Sequence, residues 1–144
     1  MAKIRKSIAI AADPADIETY SRYADSWPEW FPGVEAVQVD GAYPAINSVA
    51  QVSFRAAGTV FDLTLTVDEY LPGQSVTYLL SGMANGTLSF AVAGEGADQR
   101  VDADVEYELA GGVLGQIADR ALVESRVDDH VEAALHNMKA GLES

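Results

Sequence analysis

Glu124 and Asp128 stand four residues apart in a stretch that reads as helix, so their carboxylates fall one turn from each other on one side. Such a pair can serve as general acid and base when burial raises one pKa. The competing reading is a solvated helix edge, with Arg120 or Arg126 as ion-pair partner. Tyr78 and Tyr107 share the apolar phase of two alternating strands. A buried phenol hydroxyl wants a partner, so both are expected as polar anchors inside a pocket. Arg55 alternates with Phe54 and is expected on the solvated face; a register slip at Gly58 would turn it inward, toward a carboxylate or phenolate. His130 and His136 are the two histidines, six residues and about 120° apart on a helix, which favours surface positions over a shared metal. There is no cysteine, and hence no thiolate, disulfide or zinc-thiolate chemistry. Gly94-Glu95-Gly96 and the run from Gly111 to Gly115 lack phosphate-loop spacing, and no Ser-His-Asp order, HExxH or dinucleotide fingerprint occurs. No cofactor or metal is implied.

The element that must position the carboxylates is the stretch Val113–Glu143. It is free of proline and has one glycine near each end, Gly115 and Gly141. As a single helix it would run about 46 Å. Stepped at 100° per residue, Val113, Ile117, Ala121, Val131, Leu135, Met138 and Leu142 share an arc of about 100°. Glu124 and Asp128 fall inside that arc. Carboxylates there imply a helix bulge, a mouth reached by water, or an incompletely packed cavity.

The remaining chain supplies the partner surface. Lys3–Ala11 alternates with period two and reads as a strand. Asp13-Pro14 starts a short helix over Ala15–Tyr23, with Asp13 as a side-chain cap and proline at the first position. A second short turn is expected over Ser26–Trp30, in a segment that holds both tryptophans, Trp27 and Trp30, beside Phe31. These aromatics can plug one end of a sheet or stack on a flat ligand. Strands are then predicted over Val34–Val39, Ser48–Ala56, Thr59–Leu71, Ser75–Ser81, Thr87–Ala93 and Arg100–Leu109. Asn85-Gly86 is a hairpin signal, and Gly94–Asp98 reads as a loop. The last strand alternates Val101, Ala103, Val105, Tyr107 and Leu109 with Asp102, Asp104, Glu106 and Glu108. Clean alternation means one face is wet and the other covered, which explains the carboxylate row without a cation.

Composition fits this reading. The chain has 144 residues, 49% hydrophobic and 22% charged, which suits one globular domain over residues 1–144. No apolar run is long enough to span a membrane, and the basic start followed by Asp13-Pro14 does not read as a leader. A net charge of −13 with scattered basic residues argues against nucleic-acid binding. A cytoplasmic location is expected, as monomer or homodimer.

Several stretches, taken as a set, carry a family resemblance. They are Ile8-Ala9-Ile10 before Asp13-Pro14, Trp27-Pro28-Glu29-Trp30, Pro32-Gly33-Val34, the glycine-rich run from Gly111 to Gly115, Leu122-Val123-Glu124 and Leu135 to Lys139. With the strand, two-helix, six-strand, long-helix order, the whole chain resembles the START/Bet v 1-like (SRPBCC) superfamily, closest to its polyketide cyclase/dehydrase and lipid-transport branch. The resemblance implies an α+β helix-grip fold: a curved antiparallel sheet of about seven strands wrapped on a long C-terminal helix, with two short helices after the first strand. It also implies a cavity between sheet and helix for a hydrophobic or amphipathic molecule such as a lipid, quinone or polyketide. Combined with the residue reading, the expected ligand-binding set is Trp27, Trp30, Phe54, Leu65, Tyr78, Phe90, Tyr107, Glu124, Asp128, Val131 and Leu135. No residue is assigned to catalysis. The favoured function is non-enzymatic binding, transport or sequestration. The alternatives are a polyketide cyclase, aromatase or dehydratase, and a ribosome- or quinone-associated regulatory protein.

Overall fold

The structure is a computed structural model that describes residues 1–114 and 119–144. The first strand, β1 (Ala2–Ile10), leads into helix α1 (Pro14–Arg22), a 3-10 turn over Ala24–Ser26 and the single-turn helix α2 (Trp27–Trp30). Six strands follow: β2 (Val34–Val39), β3 (Val49–Ala56), β4 (Thr59–Leu71), β5 (Ser75–Gly82), β6 (Ala84–Glu95) and β7 (Asp98–Leu109). A short helix α3 (Gly111–Leu114) and the long helix α4 (Arg120–Glu143) complete the chain.

All seven strands form one curved antiparallel sheet in the order β1-β7-β6-β5-β4-β3-β2, the helix-grip arrangement. The period-two patterns predict the faces well, because a pleated strand sends alternate side chains to opposite sides. In β7, Val101, Ala103, Val105, Tyr107 and Leu109 are buried, and the acidic row between them faces out. There Asp104 and Glu106 meet Arg5 (2.7 Å) and Lys3 (3.9 Å) across the β1 pairing. Asp102 accepts from the Ser7 hydroxyl and pairs with Arg100 at 3.1 Å.

Several local expectations are corrected. The β5–β6 hairpin is present, with Leu80 opposite Gly86, but Asn85-Gly86 lies inside β6 and the chain reverses at Met83. Gly86 serves a different need. Its φ is 155°, and a Cβ there would sit within contact distance of the Glu106 carbonyl oxygen on β7, so only glycine allows the two backbones to approach. Between Gly94 and Asp98 the strands continue, leaving Gly96-Ala97 as the reversal. Asp13 is the N-cap of α1, but its side chain makes no capping bond; its backbone carbonyl accepts from Asp16 and Ile17 instead.

The long helix also starts later than the apolar pattern suggests. Asp119 is extended (φ −142°, ψ 96°), and its carboxylate accepts the Leu122 N–H at 3.0 Å, a side-chain cap that fixes the N-terminus of α4. Val113 belongs to α3, while Gly115 and Ile117 lie outside the described residues. The buried side of α4 is Val123, Val131, Ala134, Leu135 and Met138, with Val127 partly buried; Ala121 is exposed. No helix among the described residues is long and apolar enough to cross a membrane.

Candidate functional site

The concave face of the sheet and α4 do not pack solidly together. A cavity of about 100 Å³ remains between them, walled almost wholly by hydrocarbon. Val123, Val127 and Val131 of α4 form one side. Trp27 of α2 and the following Phe31 close an end. The sheet contributes Phe54 from β3, Phe61 and Leu65 from β4, Phe90 from β6, and Val105 and Tyr107 from β7. An engineered apolar cavity on the order of 150 Å³ is enough to take benzene and stay dry. The space here is of the scale of one ring or the tip of an alkyl chain.

Of the eleven residues expected to meet a ligand, Trp27, Phe54, Leu65, Phe90, Tyr107 and Val131 line this cavity. The other five do not. Trp30 is 3% exposed and backs the wall, with its ring 6.1 Å from Phe90 and 5.8 Å from Phe31. The aromatic segment is therefore divided: Trp27 and Phe31 present surface to the cavity, and Trp30 supports them. Leu135 is packed in the core.

Glu124 and Asp128 stand about 100° past Val123 and Val127, on the flank of the buried side of α4. Glu124 pairs with Arg120 at 3.2 Å, and Asp128 pairs with Lys6 at 3.0 Å. Both carboxylates are about two-fifths exposed, so neither is placed inside the cavity. The arc drawn from Val113 and Ala121 was centred too far toward this flank, because Ala121 does not face the sheet. Lys6 occupies an inward-phase position of β1, and Asp128 is the partner that makes a lysine tolerable there.

Tyr78 is fully buried but lies behind Trp27, edge-on at 5.7 Å. Its hydroxyl is 2.7 Å from that of Tyr43, which donates to the Arg22 carbonyl at 2.8 Å. Burial pushes the Tyr43 hydroxyl up to about 12 and raises Tyr78 further. Tyr78 is thus anchored inside the protein and does not line the cavity.

Beside it lies a charged group that sequence reasoning missed. Glu18 is 3% exposed. One of its carboxylate oxygens binds Arg22 Nε at 2.7 Å; the other accepts from Tyr70 Oη at 2.8 Å and from the Gly73 N–H at 3.2 Å. Next to this cluster the Ser21 carbonyl accepts Trp27 Nε1–H at 2.9 Å and so orients a cavity wall. The i,i+4 spacing of Glu18 and Arg22 was visible in the sequence, but it marks a surface pair far more often than a buried one.

Tyr107 is the remaining polar residue of interest. Its hydroxyl is buried with no hydrogen-bond partner among the described residues. Loss of hydration, and then the negative charge of Glu124, push it up to about 12. Arg55 is on the outer face, paired with Glu35 at 2.9 Å, as alternation predicts. His136 is exposed, but His130 is not the plain surface histidine expected: it is half-buried, edge-on to Phe54 at 5.5 Å. Burial lowers its pKa, while the Arg55 carbonyl pulls the other way.

The folded chain therefore binds the His130 proton less tightly than the unfolded chain does. Stability is expected to fall as pH drops through the ordinary imidazole range, and the loss is complete once pH is below the folded value. Urea denaturation of wild type and His130→Gln at about pH 7.5 and about pH 5.5 measures this. The wild type should lose more stability than the variant; equal losses would refute the assignment. The neighbouring charges Arg126 and Asp129 are present in both proteins and cancel in the comparison.

A curved antiparallel sheet closed by a C-terminal helix over an apolar cavity defines a helix-grip protein. The chain belongs to the family described as polyketide cyclase / dehydrase and lipid transport, whose model matches residues 1–143. No curated protein matches it in sequence. Among solved structures, it is similar to TTHA0849 from Thermus thermophilus, at 18% identity and a TM-score of 0.79, covering 98% of this chain and 97% of that one. The di-domain ARO/CYC StfQ from the steffimycin biosynthetic pathway matches at 17% identity and a TM-score of 0.77, covering 99% of this chain and 51% of StfQ. Ginseng major latex-like protein 151 from Panax ginseng matches at 14% identity and a TM-score of 0.73, covering 99% and 97% of the two chains. At these identities the likeness establishes the fold.

Proposed function

We propose that this protein binds a hydrophobic or amphipathic small molecule between its sheet and α4, as a carrier or sequestering protein. The observation that carries the reading is the unfilled cavity itself. A wall of valine, leucine and aromatic side chains left unpacked forgoes contacts that a well-packed core would make. An apolar ligand restores them, at about 25 cal/mol for each Å² removed from water. Among the described residues the wall offers no carboxylate, imidazole or guanidinium, and the Trp27 N–H is already engaged. That chemistry favours binding over acid–base turnover. Lipids, quinones and polyketides all have parts that suit such a wall, and larger members of these classes need the walls to move apart.

Native mass spectrometry of gently purified protein, with thermal shifts across a panel of these classes, tests the reading. No bound species and no shift would count decisively against it. A matched pair of substitutions adds a structural test. Val127 is a partly buried wall residue, so Val127→Trp can fill the space at modest cost. It is expected to weaken binding at least about tenfold, whereas Val127→Ala retains it. Equal binding by both variants would place the ligand elsewhere.

A further inference from the structure

We infer that the cavity is a hydrocarbon site: it takes an unsubstituted ring, an alkyl end or an isoprenoid end, and refuses any ligand segment that carries oxygen or nitrogen. This inference rests on the binding reading above and narrows it to a chemical class. Among the described residues no polar atom is exposed on the cavity wall. Trp27 gives its N–H to the Ser21 carbonyl at 2.9 Å. Tyr107 contributes its ring, while its hydroxyl is buried away from the space. The backbone groups of the lining strands β3 to β7 bond one another in the sheet ladders. A ligand oxygen that enters gives up its bonds to water and meets no donor in return. Water does not go in with it, because a buried water needs several polar partners of its own. The classes named above are separated by this wall. A poly-β-ketone chain carries oxygen on every second carbon, so any stretch long enough to fill the space brings more than one. A quinone ring bears a pair of carbonyls, and only an isoprenoid tail on it is free of them. A fatty acyl chain keeps its oxygens at one end, and the rest is hydrocarbon that matches the wall. The class that fits is the hydrocarbon end of a lipid, with any polar end group left in water.

The test compares toluene with phenol, which has nearly the same shape, by calorimetry on wild type and Val127→Trp. Pentane and pentane-2,4-dione form a second pair, the dione holding the oxygen spacing of a polyketide. A medium able to hydrogen-bond, such as octanol, penalises a hydroxyl by at most about thirtyfold. Wild type is expected to bind toluene and pentane, to prefer toluene to phenol by more than that factor, and to show no saturable binding of the dione. Val127→Trp, which fills the space, is expected to abolish binding of both hydrocarbons. A smaller preference for toluene means that the wall supplies a hydrogen-bond partner, and overturns the inference. Saturable binding of the dione overturns it too. In either case the cavity reading stands if Val127→Trp abolishes the binding. Hydrocarbon binding that survives in Val127→Trp lies elsewhere and overturns both. Failure of wild type to bind either hydrocarbon overturns the inference, and native mass spectrometry then decides the wider reading by itself.

Discussion

Glu18→Ala is expected to lower the free energy of unfolding by about 3 kcal/mol, the range for breaking a buried ion pair from one side. The substitution leaves the Arg22 guanidinium without its partner and deprives Tyr70 Oη and the Gly73 N–H of their acceptor. Arg22 keeps one quarter of its side-chain surface in water, which holds the figure at the lower end. Glu18→Gln keeps an oxygen for Tyr70 and Gly73 and should cost about half as much. Urea denaturation of the three proteins decides the matter. A loss under about 1 kcal/mol for Glu18→Ala would mean that the pair behaves as a surface pair. The effect should also reach the cavity, because α1 carries the Ser21 carbonyl that holds Trp27. Binding of an apolar ligand is expected to weaken in Glu18→Ala even under conditions where the variant stays folded.

Gly86→Ala is expected to cost about 3 kcal/mol as well, from strain at an unfavourable φ together with a backbone collision. The Cβ would strike the Glu106 carbonyl, a rigid group with no rotamer by which to yield. Gly86 is paired with Tyr107 in the β6–β7 ladder, so any separation of these strands moves a wall residue of the cavity. Gly111→Ala is the control: a Cβ there meets nothing within 4 Å, and a short helix gains from alanine. If Gly86→Ala proves as mild as Gly111→Ala, the close approach of the two backbones is not real.

These two residues also mark the limits of what the sequence discloses. Period-two alternation made the strand faces legible, down to the acidic row of β7, because side-chain direction in a strand is fixed by geometry alone. The two short helices, the seven-strand sheet and the closing helix were legible from order and punctuation. Glu18 was not, because burial of a charge depends on donors supplied from Tyr70 and Gly73, more than fifty residues away. Gly86 was read for the wrong reason: the β5–β6 hairpin is there, but the glycine is required by the neighbouring strand β7 rather than by the turn. Several of the large apolar residues named from the sequence line the cavity, since its wall is built from the same periodicity as the core. Periodicity does not separate wall from core, however, and Trp30 and Leu135 fell on the core side. Glu124 and Asp128 were displaced by a modest error in the angular centre of α4, enough to move two carboxylates from an interior to a flank.

The pairing of β1 with β7 has a consequence for synthesis. Ala2 lies opposite Tyr107 and Ile10 opposite Gln99, so the first strand meets its partner only after roughly a hundred further residues exist. Strands β2 to β7 each neighbour the next and can zip together as they emerge. At about 5–20 residues per second, β1 waits unpaired for roughly five to twenty seconds, with Ile4, Ile8 and Ile10 exposed. Lys3, Arg5 and Lys6 sit among those isoleucines. In the native fold they pair with Glu106 and Asp104 of β7 and Asp128 of α4; in the nascent chain the same charges are expected to discourage a waiting strand from pairing with another copy of itself.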